Sequence, residues 1–158
     1  MKKEENRFQI DSLDKTILLM LSKNARVPFL EIARECHVSG SAIHQRVQRL
    51  TRLGLISGTE YVFDPKRLGY ETCAYIGIFL EKASLYKLVV AELEKIPEIV
   101  ECHYTTGNYS IFIKIYAKNN EHLRNILTEY LQAIPGISRT ETFISLEESF
   151  RRQLPVEK

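Results

Sequence analysis

Apolar residues recur every three or four positions through the first third of the chain, a spacing that predicts three amphipathic helices. The first helix follows Asp11, a good N-cap with Asp14 at N3, and runs over about residues 12 to 23. The second begins at Pro28, which suits the first helical position, and the third follows the N-cap Ser39. The apolar positions of the three helices are, in order, Leu13, Ile17, Met20 and Leu21; Phe29, Ile32, Ala33 and Cys36; and Ile43, Val47, Leu50 and Leu53.

The second and third helices are separated by a very short turn. Only His37 and Val38 remain between them, so the two helices must cross steeply, and the small residue Ala33 lies where they would touch. Gly54 closes the third helix. A tight turn before the last of three helices is the helix-turn-helix arrangement, which we expect over residues 1 to 60.

The segment that follows is typical of a connection between domains. Residues 55 to 64 contain Tyr61, Val62 and Phe63 and predict a short strand or wing. The turn-rich stretch DPKRLGY at residues 64 to 70 predicts a hinge, so residues 61 to 70 are interpreted as a strand and linker.

From residue 71 to 158 the pattern alternates between strands and helices. The predicted order is strand 72–80, a helix from Leu85 to Ile96, strands 99–105 and 110–117, a helix from Leu123 to Ile134, and strand 137–146. This βαββαβ order is that of ferredoxin-like folds. The expected fold class is therefore α+β, with an N-terminal winged helix-turn-helix and a C-terminal ferredoxin-like domain. LEKIPEI at 93–99 and LQAIPGI at 131–137 repeat Ile-Pro at both helix exits.

One face of the predicted sheet has no helix to cover it. Along the strand at 110–117, isoleucines alternate with larger or polar residues, which places the two sets on opposite faces. The isoleucines are Ile111, Ile113 and Ile115, and the other set is Phe112, Lys114 and Tyr116. Because the second set is partly aromatic, we expect that face to pack against another copy and form a homodimer.

Charge is distributed unevenly along the chain. The net charge is only +2, but residues 1 to 60 hold ten Lys or Arg against seven Asp or Glu, a net of +3. No carboxylate occurs between residues 36 and 59. Arginine and glutamine can engage base edges, serine and a helix N-terminus can hold a phosphate, and a carboxylate would repel the DNA backbone. A solvated helix face is the alternative, but such faces usually mix charges of both signs. The candidate DNA-binding residues, expected to face solvent, are Ser39, Ser41, His44, Gln45, Gln48, Arg49 and Arg52.

Other classes of function have weaker support in the sequence. Cys36, Cys73 and Cys102 are odd in number and lack a CxxC pair, which favours buried thiols in a reducing cytoplasm over disulfides or zinc. We expect no metal and no cofactor. Neither a signal-peptide run nor a stretch of ~20 apolar residues occurs, so a cytoplasmic protein without membrane association is expected. No Gly-rich phosphate loop or nucleophile elbow supports an enzyme.

Five segments, in this order and spacing, resemble the Lrp/AsnC (feast/famine) transcription regulators. They are IDSLDKTIL, EIARECHVSGSAIHQRVQRLTRLGLISG, RLGY, VECHYTTGNYSIFIKI and RTETFISLEES, and they cover almost the whole chain. The resemblance implies a regulator that binds double-stranded DNA, with residues 39–53 as its recognition helix. It also implies a C-terminal effector domain of the RAM type, dimers that often assemble into octamers, and a small effector that is typically an amino acid.

By position, the resemblance makes the loop at Gly107 an element of the effector site. That loop usually reads Gly-Asp with a second Asp two residues later, whereas here it reads Gly107-Asn108-Tyr109-Ser110. Recognition of an ammonium group would therefore rely on neutral oxygens. The candidate effector-binding residues are Thr105, Thr106, Gly107, Asn108, Tyr109 and Ser110, with Thr140 and Thr142 as weaker candidates.

The loop at Gly107 either binds an effector or is a hairpin without a ligand, and both alternatives remain open. Its residues also suit an ordinary polar hairpin. The chain would then be an architectural, nucleoid-like DNA-binding protein whose C-terminal domain serves only oligomerisation.

A second departure from the family is His37, which stands where many relatives have glycine; histidine tolerates left-handed backbone angles better than most residues.

Overall fold

The computed structural model describes residues 10–156, and within them the chain forms two compact units. One unit contains residues 10–61 and the tail at 151–156, and the other is Val62–Phe150. The sequence interpretation had assigned the tail to the C-terminal domain. Residues 147–156 form no helix or strand, and those from 151 onward group with the first unit.

The first unit is a bundle of three helices, as predicted. They are α1 (Ser12–Lys23), α2 (Phe29–Glu35) and α3 (Gly40–Arg52). Their apolar stripes meet in a core, whose buried members are Ile17, Val27, Ile32, Ala33, Ile43 and Leu50. Full burial of a side chain such as Ile17 contributes about 1.5–3 kcal/mol to folding, so this small core supplies the main force that holds the bundle together.

The helix ends follow local sequence chemistry. Asp11 and Ser39 cap α1 and α3 as predicted, and the Ala42 backbone N–H donates to Ser39 Oγ at 3.2 Å. Pro28 is the N-cap of α2 and not its first residue, a shift of one position. His37 takes the left-handed conformation (φ 53°) in the turn between α2 and α3. The predicted helix-turn-helix arrangement is therefore confirmed.

The segment after α3 differs from the prediction. Gly54 is left-handed (φ 75°), and the N–H groups of Leu55 and Ile56 donate to the Leu50 carbonyl at 3.0 and 3.3 Å. No strand forms in the described stretch between α3 and residue 72, where a short strand or wing was expected at 55–64. A strand needs a neighbouring ladder for its backbone groups, and this stretch of the chain has none.

The second unit has the predicted βαββαβ order. Its elements are β1 (Thr72–Leu80), α4 (Tyr86–Leu93), β2 (Ile99–Tyr104), β3 (Ile111–Ala117), α5 (Asn120–Asn125) and β4 (Ile137–Ser145). A 3₁₀ turn, Ala83–Leu85, leads into α4, and a π-helical segment, Ile126–Leu131, continues α5. The strands form one antiparallel sheet in the order β2-β3-β1-β4.

The two faces of the sheet differ, as the alternation along β3 predicted. On one face Ile76 lies opposite Ile113, and these strands pack with the helices through Val89, Leu93 and Leu131. The other face, called here the open face, is not covered by a helix within this unit. Its residues are Cys73, Tyr75, Gly77 and Phe79 on β1; Phe112, Lys114 and Tyr116 on β3; Glu101 and His103 on β2; and Arg139, Glu141 and Phe143 on β4.

Candidate DNA-binding and effector sites

The outer face of α3, called here the reading face, presents polar side chains to solvent. Ser41, His44, Gln45, Gln48 and Arg52 are exposed, as the sequence predicted. Ile43 and Leu50 on the opposite side are fully buried, which fixes the rotation of the helix. The Gln48 amide donates to His44 Nε2 at 3.0 Å, so these two side chains form a pair on the surface.

The N-terminus of α3 is suited to an anion. Ser39 Oγ lies 2.9 Å from Ser41 Oγ, both serines are exposed, and the first turn contains no acidic residue. Unpaired backbone N–H groups and the helix dipole favour a phosphate at such an end. A DNA backbone phosphate could therefore be held here while the next turns of α3 contact base edges.

Arg49 does not project freely into solvent as the sequence suggested. Its Nη1 donates to Asp14 Oδ2 at 2.9 Å, and its side chain is only 39% exposed. Arg46, which the sequence interpretation did not select, donates to Asp14 Oδ1 at 3.1 Å and also pairs with Asp11. The apolar stripe of α3 predicted that Arg49 faces solvent, and the stripe gives no information about which residue of another helix lies within reach of its side chain.

These four residues form a charge cluster between α1 and α3, called here the Asp14 cluster. Asp14 is completely buried, yet each of its carboxylate oxygens accepts from an arginine. Asp11 Oδ1 accepts from the Asp14 N–H at 2.8 Å, and the Asp11 N–H donates to Asp14 Oδ2 at 3.2 Å. This reciprocal capping box fixes both carboxylates at the start of α1.

The charges of the Asp14 cluster reinforce one another. The pKa of Asp11 is lowered, first by the Asp14 backbone N–H and then by Arg46. The pKa of Arg46 is raised by its hydrogen bonds to Asp11 and Asp14. The two carboxylates of the cluster thus balance its two guanidinium groups. Arg52, the last residue of α3, lies on the reading face and is exposed.

The candidate effector loop, residues 105–110, is a closed turn between β2 and β3. The Thr105 N–H donates to the Ser110 carbonyl at 3.1 Å, and Thr105 Oγ1 donates to the Tyr109 carbonyl at 2.7 Å. The Ser110 N–H donates to the Ile78 carbonyl on β1 at 3.0 Å. Gly107 has φ 109°, and the position of a Cβ there is open space. A ligand could thus approach the backbone at Gly107 closely.

The polar groups of this loop do not all point the same way. Thr106 and Asn108 are exposed at its tip, but the ring of Tyr109 lies on the open face of the sheet. The Tyr109 hydroxyl donates to Glu141 at 2.7 Å, and this hydrogen bond is the main cause of its raised pKa. The expected gathering of neutral groups therefore lacks the phenol of Tyr109.

The weaker candidates, Thr140 and Thr142, lie on β4 opposite Ile78 and Ile76. Thr140 is half-buried and Thr142 exposed. They are on the face of the sheet opposite to Tyr109, since residues 140 and 142 alternate with Glu141.

The open face combines aromatic rings with one nearly buried lysine. Tyr109 has ring contacts with Phe79, Phe112 and Phe143, whose centroids lie 5.2–6.2 Å from its own. Lys114 Nζ lies 3.5 Å from Glu101 and 3.7 Å from Glu148.

Burial alone would lower the pKa of Lys114, but Tyr116, Tyr75 and Glu101 outweigh it and raise the pKa above that of an ordinary lysine. The neighbours of Lys114 on the open face therefore favour its charged form despite its burial.

The cysteines and the remaining polar residues suggest no further chemistry. All three cysteines are free thiols, and Cys102 is exposed, contrary to the expectation that they are buried. Among residues 10–156, no group of three or more His, Cys, Asp or Glu side chains could hold a metal ion. Within that same part of the chain, no helix has the length and apolar character needed to cross a bilayer.

Comparison with known proteins agrees with this architecture. Residues 10–51 match the model of the AsnC-type helix-turn-helix domain, and residues 73–155 match that of the Lrp/AsnC ligand binding domain. The regulatory protein AsnC of Haemophilus influenzae is 43% identical over 145 residues, which are 92% of this chain and 97% of that protein.

Solved structures give the same result. The structure of AsnC from Escherichia coli has a TM-score of 0.89 at 39% identity and covers 93% of this chain and 99% of that one. A transcriptional regulator from Neisseria meningitidis, solved as a complex with L-Met, has a TM-score of 0.88 at 21% identity, covers 93% and 97% of the two chains, and shares the fold. The two domains, in this order and over nearly the whole length, show that the chain belongs to the Lrp/AsnC family of DNA-binding transcriptional regulators.

Proposed function

We propose that this regulator recognises specific DNA sites through the reading face of α3, acts as a homodimer or a larger assembly such as an octamer, and responds to a small effector of the amino-acid class. The observation that carries the proposal is the exposed reading face, which has donors and acceptors and no carboxylate. Glutamine side chains such as Gln45 and Gln48 can contact a base edge with two hydrogen bonds. Ser39, Ser41 and Arg52 would contact phosphates and set the register of the helix on the duplex.

The dimer is supported by the open face of the sheet. Phe143 is 48% exposed there, opposite Tyr75 on β1 and in ring contact with Tyr109, and aromatic area of this kind favours a self-complementary interface. Two copies joined through this face could present two copies of α3 to successive major grooves, about 34 Å apart. A site with two-fold symmetry is the matching DNA target.

The effector is supported by the exposed loop at Gly107. Thr106 and Asn108 offer neutral hydrogen-bonding groups at its tip, and Gly107 leaves room for a ligand against the backbone. The neighbour from Neisseria meningitidis, which shares the fold, was solved with L-Met, and this supports an amino acid as the class of effector. Since the loop has no carboxylate, selection would depend on shape and neutral hydrogen bonds.

Selection of binding sites from randomised duplex DNA, with and without each of the twenty amino acids, tests this proposal. We expect a short set of two-fold symmetric sites and an amino acid that changes the affinity for them. Gln48→Ala should relax the selected sequence by about 1–3 kcal/mol per lost base contact. Gln132→Ala, an exposed glutamine of the other unit, is the matched control. Binding without sequence preference and without any amino-acid effect would favour the architectural alternative.

A further inference from the structure

We infer that Asp14 is a positioning residue for DNA recognition: by holding Arg46 and Arg49 it sets the orientation of the reading face and withholds two cations from the DNA phosphates. This inference rests on the proposed role of α3 in reading DNA. It assigns to α1, which presents no residue to the reading face, a part in the specificity of binding.

The first step of the argument is the geometry of the Asp14 cluster. Arg46 and Arg49 lie one turn apart on α3, and both reach the same carboxylate, at 3.1 and 2.9 Å. A carboxylate that accepts from two successive turns resists both rotation and sliding of α3 relative to α1. The apolar contacts of Ile43 and Leu50 are less directional, since dispersion and the hydrophobic effect tolerate small shifts.

The second step is the burial of Asp14. A carboxylate with no exposed surface is costly to the fold unless it is paired, and an apolar residue at this position would avoid that cost. Buried ion pairs are weak contributors to stability, and in some proteins they instead make one arrangement of the chain unique. Here the arrangement that is made unique is the position of α3.

The third step is the charge balance. Of the three arginines on α3, Arg46 and Arg49 face the carboxylates of Asp14 and Asp11, whereas Arg52 is exposed. Neutralisation of phosphates by arginine supplies the sequence-independent part of DNA affinity, and a guanidinium group held by a carboxylate is less available for it. Pairing therefore lowers the sequence-independent part of the affinity, and the ratio of specific to non-specific binding rises.

Two substitutions at this position separate the two effects. Asp14→Asn can keep hydrogen bonds but loses the charge that holds the arginines. Its affinity for the selected site should fall at least tenfold relative to non-specific duplex. The salt dependence of non-specific binding should become steeper by about one unit of slope for each arginine that reaches a phosphate. Asp14→Glu keeps the charge but moves it by one methylene, so we expect the same loss of specificity with an unchanged slope.

A control variant and a double variant show whether a loss of specificity comes from the contact of Asp14 with the arginines. Glu35→Gln makes the same change of charge in the same unit, on α2, and should leave both affinities within twofold of the wild type. Arg49→Gln removes the partner of Asp14, so the double variant with Asp14→Asn should lose less specificity than the sum of the two single losses.

Circular dichroism and thermal melting establish which variants are folded. If Asp14→Asn is unfolded, then Asp14→Glu and Arg49→Gln carry the test. A specificity ratio within twofold of the wild type in the folded Asp14 variants, or equal losses for specific and non-specific DNA, overturns the inference. Failure of the proposed function would be seen separately, as a Gln48→Ala variant with unchanged sequence selection.

Discussion

The aromatic ring of Tyr109 lies directly over Gly77, so close that a Cβ on residue 77 would come 2.4 Å from a ring carbon. Gly77 is in the middle of β1, between Phe112 on β3 and Glu141 on β4. The candidate effector loop thus places one side chain on the open face of the sheet, and Tyr109 is fixed there by its hydrogen bond to Glu141. A movement of the loop would change the surface that we propose for dimerisation.

Replacing Gly77 by alanine should displace the Tyr109 ring. The added methyl group overlaps the base of the ring, which cannot move away without leaving its contacts with Phe79 and Glu141. We expect the free energy of unfolding to fall by about 1–3 kcal/mol, as for other overpacked positions. Urea denaturation of the full chain measures the change.

Two further variants show whether the clash is the cause. In the Gly77→Ala background, Tyr109→Ala should cost less than it does in the wild-type chain, because removing the ring also removes its clash with the added methyl group. Gly58→Ala adds a methyl group that meets nothing and should stay within about 0.5 kcal/mol of the wild type. Additive effects of the two substitutions would show that Tyr109 does not occupy the space above Gly77.

Because of Lys114, the stability of the fold should depend on pH in the alkaline range. Because the pKa of Lys114 is raised in the folded state, its charge stabilises the fold fully below the unfolded-state pKa of about 10.4. That contribution is lost as the pH rises through the folded-state pKa. The difference in Tm between the wild type and Lys114→Met should therefore be constant from about pH 6 to about pH 9 and shrink above about pH 10.4.

Thermal melts over this range check the expectation. Lys118→Met, at an exposed lysine just after β3, is the control and should show a much smaller difference at every pH. A difference for Lys114→Met that grows as the pH rises above about 10.4 has the wrong sign and would contradict the assignment.

Phe143→Glu should dissociate the proposed dimer. Phe143 lies on the open face opposite Tyr75, and burial of a phenylalanine contributes about 1.5–3 kcal/mol per side chain. A symmetric interface contains the residue twice, so the dissociation constant should rise by about a hundredfold or more. Light scattering of the full chain at several concentrations measures this dissociation constant.

Leu88→Glu, on α4 and equally exposed, is the control and should leave the dimer intact. Equal effects of both variants would argue against the open face as the interface.

The sequence predicted those features that depend on local geometry. The alternation of Ile111, Ile113 and Ile115 identified the buried face of β3, since side-chain direction in a strand is set by its immediate neighbours. The partner of Arg49 could not be predicted in this way, because Asp14 is 35 residues distant and the period of α3 does not say which helix faces it. Arg49→Glu would consequently place a carboxylate beside Asp14 and could not test a DNA contact.

Within the candidate effector loop the same limit applies to Tyr109. Its position after Gly107-Asn108 marked it as a loop residue with a polar group, but the loop turns its ring onto the sheet. Gly77 was a glycine inside a strand pattern, which signals that some group approaches the backbone closely. Which group approaches depends on the path of a loop that begins 28 positions later, at Thr105, and periodicity carries no information about that path.

Asn108→Asp should strengthen the binding of amino acids by restoring a carboxylate to the candidate effector loop. Asn108 is exposed at the tip beside Gly107, so a carboxylate there could meet the ammonium group of a bound amino acid. A hydrogen bond to a charged group contributes about 1.5–3 kcal/mol, which corresponds to an affinity about tenfold or more higher.

Calorimetric titration against the twenty amino acids, with Gly107→Val measured in parallel, tests this prediction. Valine at residue 107 would be strained at φ 109° and would fill the open space above the backbone, so binding should be lost. Asn125→Asp makes the same chemical change at the end of α5 and should leave the binding profile unchanged. If the wild type and both loop variants gave identical profiles, the effector would not bind at this loop, and the reading of the C-terminal domain as an assembly module would gain support.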